Sequence, residues 1–157
     1  STQAKTLFPY TTLFRSTTTK HTAYSASIGG LTTELNSLAS AALSAASSAI
    51  DNGTNLALYA DVELVVGVQT ARSAGATVAV YLTPAPDGTN YTDVEATCAE
   101  PWAVFPLDAA VTARRVVARD RPLPPGLFKV FVKNNTGQAF AATGNTVKIF
   151  THGIQSA

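Results

Sequence analysis

The chain has 157 residues, a formal net charge of +1 and only 13% charged residues. That length supports one domain with a core that needs neither disulfide nor metal, and the absence of any basic run excludes nucleic acid as an expected partner. So little charge, beside abundant Ala, Ser and Thr, suits a surface packed against copies of itself or a larger assembly, so a homo-oligomer is expected. No apolar run is long enough to span a membrane, and no charged-then-oily leader opens the chain, so a membrane is not an expected partner either.

Taken in chain order, the first feature is an anomaly. Thr6 to Ser16 read TLFPYTTLFRS, the first-frame translation of a widely used sequencing adapter, so residues 1–16 are read as adapter-derived and outside the fold. Residues 17–30 are Thr- and Ser-rich, close on Gly29-Gly30 and read as an extended arm; residues 31–157 read as the domain. Within it, Leu31 to Ile50 is ambiguous. Its Ala content and its Leu31, Leu35, Leu38 spacing favour a helix, whereas its Ser and Thr compete with helical hydrogen bonding. The all-β surroundings decide for two short strands, Thr33 to Ala39 and Ala45 to Ile50.

Asp51-Asn52-Gly53-Thr54 predicts a turn. From Leu56 to Val68 every even position is apolar, while Tyr59, Asp61, Glu63 and Gln69 dominate the odd ones. Side chains alternate across a strand, so this is a strand with one oily and one wet face. The pattern returns at Val78, Val80 and Leu82, and again at Phe128, Val130 and Val132. Between them, Pro84 to Asp93 reads as a loop, Trp102 to Leu107 as an edge strand interrupted by Pro106, and Val111 to Arg119 as a further strand. Pro122 to Gly126 is a stiff connector and Asn134 to Gly137 a turn, with Gln138 to Ala142 and Thr146 to Thr151 as the last strand candidates. Seven to nine short strands at this spacing predict an all-β fold, a single β-sandwich of jelly-roll type with an extended N-terminal arm.

Little here asks for catalysis. His21 and His152, the only histidines, have no evident nucleophile or support beside them. Cys98 stands alone and reads as a small hydrophobe in a half-buried place. Asp87, Asn90 and Asp93 could offer oxygens to a calcium ion, but Asp-Gly in a loop more often makes a turn and the ligand set is short. Asp61 and Glu63 share a strand face and read as solvated neighbours. No catalytic residue, cofactor or metal is therefore expected. Arg114, Arg115 and Arg119 are candidates for pairing with acidic groups of a neighbour. Trp102 and Tyr91, with Tyr59 and Tyr81, could form a platform for a sugar ring, or simply pack. Asn52, Asn90 and Asn134 open formal glycosylation sequons.

Four strings carry a resemblance: SAIDNGTNL (Ser48 to Leu56), ADVELVV, VYLTPAPDGTNYTD (Val80 to Asp93) and LPPGLFKVFVKNNTGQAFAATGNTV (Leu123 to Val147). Over Leu31 to Thr151 the chain resembles a group of small bacteriophage virion proteins encoded among head and tail genes. The resemblance implies a non-enzymatic β-sandwich, either a decoration (cement) protein of the head surface or a neck or tail component. Its implied partners are the major capsid protein or other virion proteins, and its implied place is the virion, assembled in the cytoplasm of a bacterial host. A carbohydrate-binding sandwich is the alternative from another class.

Overall fold

The structure, a computed structural model, describes residues 19–93 and 100–156. The adapter-like segment and Cys98 lie outside the described residues. Ten strands follow in order: β1 (Thr19–His21), β2 (Ser27–Leu31), β3 (Ile50–Asp51), β4 (Tyr59–Val66), β5 (Thr77–Pro84), β6 (Ala103–Pro106), β7 (Arg114–Pro122), β8 (Leu127–Asn135), β9 (Thr146–His152) and β10 (Ile154–Ser156). One four-stranded sheet has the order β2-β9-β4-β7, the other β3-β8-β5-β6, and β1 pairs with β10 in a separate ribbon. Every pairing is antiparallel. The chain passes from one sheet to the other at each step except β5 to β6, which makes the two sheets a jelly roll.

Alternation decides which faces meet. Ala60, Val62, Leu64 and Val66 of β4 point inward with Val147 and Ile149 of β9, and Val78, Val80, Phe128, Val130 and Val132 close over them from the second sheet. Each such side chain, fully buried, contributes about 1.5–3 kcal/mol. The oily run overreaches the strand at both ends: Leu56, Leu58 and Val68 are exposed. The odd face departs further from expectation. Asp61 and Glu63 are buried rather than solvated, because β4 is an interior strand flanked by β7 and β9 and its outer face is overlaid by the chain around Tyr24 and Ser25. Gln69, beyond the strand, is buried where its amide meets Thr136 and the Ala139 carbonyl.

Three predicted segments differ. Residues 19–30, the described part of the expected extended arm, do not stand off the domain. β1 pairs with β10, the Ser25 N–H donates to the Thr151 carbonyl, and β2 forms the edge of the first sheet. The Gly29-Gly30 pair is part of that edge: a Cβ at Gly30 would lie 1.8 Å from the Val147 carbonyl oxygen. Between β2 and β3, residues 32–49 hold neither a helix nor the two predicted strands, only a 3-10 turn at Thr33–Leu35 and an irregular run with one isolated bridge, Leu43 to Lys133. That run follows the edge of β8. The N–H groups of Ser44 and Ser47 donate to the carbonyls of Val132 and Val130, and their hydroxyls accept the Val132 and Val130 N–H groups. Finally, 138–142 is a loop, anchored by buried Phe140, whose N–H donates to the Leu38 carbonyl.

Candidate functional site

The outer face of the first sheet carries the chemistry. β9, β4 and β7 lie side by side, so outward residues far apart in sequence become neighbours. Tyr59 stands across from His152, Asp61 from Phe150, and Glu63 from Lys148. Opposite Asp61, β7 has an extra residue: Ala60 pairs with Arg121 but Val62 with Ala118. This is a β-bulge, and Asp120 takes the left-handed conformation in it at φ 54°. Asp is one of the few residues that tolerates that region. The bulge turns an even-numbered side chain, otherwise destined for the core side of β7, out toward Asp61.

Three ligand-type groups converge there. His152 Nε2 lies 3.3 Å from Asp61 Oδ1 and 3.3 Å from Asp120 Oδ1. The His152 and Asp61 side chains are 5% and 7% exposed, whereas that of Asp120 is 66% exposed. Asp61 is firmly held: its Oδ2 accepts the Tyr24 hydroxyl at 2.6 Å and its Oδ1 accepts the Asp120 N–H at 3.0 Å. Burial pushes the Asp61 carboxyl up, but the Tyr24 hydroxyl, the Asp120 N–H and His152 outweigh it and hold it below the ordinary carboxylate value. The same hydrogen bond raises the Tyr24 phenol. The ring of His152 meets those of Tyr24 and His21 edge-on and stacks against Tyr59. His152 therefore has the rigid surroundings that its place near the end of the chain did not suggest.

Beside this cluster runs an open groove of about 410 Å³, floored by Asp61 and Glu63, with Arg115 and Arg119 on one wall and Tyr24 and Phe150 on the other. Arg115 Nε donates to Glu63 Oε2 at 2.7 Å, so the carboxyl expected to be solvated is paired within the chain. The three arginines do not form one patch. Arg115 and Arg119 share the outer face of β7, whereas Arg114 points to the other side and pairs with Asp108. Asp108 also meets the buried Arg72, whose remaining N–H groups go to Gln69 and to the carbonyls of Ala110 and Thr112. No ion pair joins Arg119 to a carboxylate among the described residues.

The proposed aromatic platform is not assembled. Trp102 is half-buried against the core and donates its Nε1–H to the Pro122 carbonyl at 2.8 Å, tying the β6 edge to the end of β7. Tyr81 is buried on the second sheet, Tyr91 lies under Lys129 Nζ at 4.3 Å, and Tyr59 is on the opposite sheet. The calcium candidates make a turn: Asp87 accepts the Thr89 and Asn90 N–H groups and the Asn90 side-chain amide. Those bonds, the Asn90 N–H first, draw its pKa down to about 2. Two of the sequon asparagines are internal fasteners. Asn52 is buried and bonds Ala57 and the Pro124 carbonyl, while Asn134 is buried and donates to the carbonyls of Leu38, Ala39 and Gln138.

Nothing in the sequence brings Asp61, Asp120 and His152 together. The one local signal was Asp120 itself, a break in the outward series Arg115, Val117, Arg119. No protein-family model matches the chain, and no curated protein matches it. Among solved structures it is similar to the carbohydrate-binding module TmCBM61, in complex with beta-1,4-galactotriose, at 11% identity over 76% of this chain and 68% of that one, with a TM-score of 0.29. Nothing further rests on so distant a likeness.

Proposed function

We propose that this chain is a non-catalytic structural protein of the bacteriophage virion, seated on the outside of the head, where it binds the major capsid protein and joins neighbouring subunits. The observation that carries the reading is an apolar surface the fold does not need for itself. Leu56, Leu58 and Ile154 are 59%, 60% and 54% exposed and border one groove of about 500 Å³ at the end of the sandwich, next to the β1–β10 ribbon. Large aliphatic side chains clustered in the open mark a contact surface. Many weak copies of such a contact, engaged together on a lattice, add up to firm attachment.

The resembled strings support the same reading, because their polar residues fasten turns rather than do chemistry: Asn52 holds the turn before β4 and Asn134 the turn after β8. The test is the protein inventory and copy number of purified virions. Hundreds of copies per particle mean the head surface or the tail tube, with tailless heads that retain the protein supporting the head, and a handful mean a tail tip or neck; absence from the particle removes the proposal. Leu58→Asp, at an exposed position, should leave the fold intact and abolish attachment.

A second reading, a carbohydrate-binding module, is favoured by one surface: the groove where Tyr24, 62% exposed, and Phe150 face Arg115 and Glu63. Aromatic faces beside charged hydrogen-bonding groups suit a sugar ring. A glycan array should then show binding that Tyr24→Ala removes, and an array without binding eliminates this reading.

A further inference from the structure

We propose that Asp61, Asp120 and His152 form a binding site for one divalent transition-metal cation. Geometry carries the proposal. His152 Nε2 is buried, and although it lies 3.3 Å from each of two carboxylate oxygens it makes no hydrogen bond to either. A buried polar atom without a partner calls for a physical explanation. A proton on Nε2 does not supply one. An imidazolium bonded to a carboxylate closes to about 2.7–2.9 Å along the N–H direction, whereas both oxygens stand at 3.3 Å and neither lies where an Nε2–H would donate to it.

A cation between the three groups satisfies all of them at once. Nitrogen and oxygen ligands about 2.0–2.1 Å from a tetrahedral zinc ion stand about 3.3–3.4 Å apart along the tetrahedron's edges, which is the spacing of Nε2 from both carboxylates. The three ligand atoms all lie within 4.8 Å of one another. An imidazole with two carboxylates suits zinc or manganese better than calcium or magnesium, which take oxygen ligands.

The surroundings fit as well. The Tyr24 hydroxyl and the Asp120 N–H orient Asp61, in the way that outer hydrogen bonds aim metal ligands. The exposed Asp120 leaves an access path, and His21 borders the same pocket of about 330 Å³, where it or a water can take the fourth position. Arg119 also borders the pocket and opposes a cation, but two carboxylates outweigh its single charge.

Tag-free protein stripped with a chelator and titrated with zinc chloride at neutral pH should take up one ion per chain in calorimetry. Cobalt chloride should give the visible absorption of a four-coordinate nitrogen–oxygen site. Asp120→Asn removes one ligand at an exposed position whose positive φ Asn accepts, and should weaken zinc binding at least about tenfold with an unchanged circular dichroism spectrum. In the unmodified protein, zinc should shift the His152 imidazole resonances, a readout that does not depend on any variant folding. No zinc uptake, undiminished uptake by Asp120→Asn, or uptake that leaves the His152 resonances unmoved would each overturn the proposal.

Discussion

Removing the hydroxyl of Ser47 tests how the chain finishes the edge of its second sheet. The run before β3 does not keep strand register against β8. From Ile50 to Ser47 to Ser44 it advances three residues at a time, while β8 advances two, from Phe128 to Val130 to Val132. Each extra residue leaves a β8 N–H without a carbonyl opposite, and a serine hydroxyl fills the place: Ser47 Oγ accepts from Val130 N at 3.1 Å and Ser44 Oγ from Val132 N at 3.0 Å, both in buried surroundings. In Ser47→Ala the Val130 N–H loses its acceptor where water does not reach. An unsatisfied buried amide costs about 1–3 kcal/mol, so about 2 kcal/mol is expected for either serine and about 4 kcal/mol for both, out of a total stability of about 5–15 kcal/mol. In a chain of this length that lowers the Tm by about 4–8 °C for one and about 8–16 °C for two. Chemical denaturation supplies the free energies, and hydrogen exchange should show the Val130 and Val132 amides accelerated. The exposed Ser48 is the control, with Ser48→Ala changing stability by less than about 0.5 kcal/mol. If Ser44→Ala and Ser47→Ala are as mild as the control, the hydroxyls are not completing the ladder and the reasoning fails.

Arg72→Met should destabilise by about 3 kcal/mol, because it strips the Gln69 side chain and the carbonyls of Ala110 and Thr112 of their donors; denaturation showing less than about 1 kcal/mol would mean the loop at 108–112 is held by other contacts. Gly30→Ala should lose more than about 2 kcal/mol, since its new methyl meets the Val147 carbonyl and β2 must leave β9; thermal melts would read this. The pH dependence follows from Asp61. Its folded pKa lies below the ordinary value of 3.8, so its contribution is present above that value and is lost as pH falls through the folded pKa. Acid unfolding should therefore be shallower below about pH 4 in Asp61→Asn than in the unmodified protein, and identical acid profiles would show that Asp61 carries no such linkage.

How far the sequence could be read depended on how local each cause was. Alternation is local: it placed β4, β5 and β8 and named Val62, Leu64, Val80 and Val130 as core. It could not say where a strand stops, because Leu56 and Leu58 continue the rhythm of β4 after the sheet has ended. The serine-rich run is neither the helix nor the strands its composition suggests, because Ser44 and Ser47 act as acceptors for β8 backbone N–H groups, which neither propensity describes. Gly29-Gly30 read as loop punctuation because glycine's other use, letting two backbones approach, depends on a partner strand 117 positions further on, at Val147. The cluster at His152 was the least legible part. Its members come from three strands whose adjacency is a property of the jelly-roll order, and Asp120 is aimed by a bulge with no distinct composition.

The placement of that cluster also separates what folds this chain from what it can do. The core lies between the sheets and is aliphatic and aromatic. Asp61, Glu63 and His152 are buried on the opposite side of β4 and β9, under the Tyr24–Ser25 segment, where they add nothing to that core. The desolvation of a buried ionic group can exceed its Coulombic gain, and apolar replacements of similar volume are often neutral or stabilising. The core therefore does not require an imidazole and a carboxylate to be sequestered at this position, nor a β-bulge that brings a second carboxylate to them. The exposed Leu56, Leu58 and Ile154 stand in the same relation to the fold: hydrophobic, outside the core, and gathered at the end where His152 also sits. Both departures from the demands of stability fall at one end of one sheet, so an attachment surface and a cation site there would be close enough for each to affect the other.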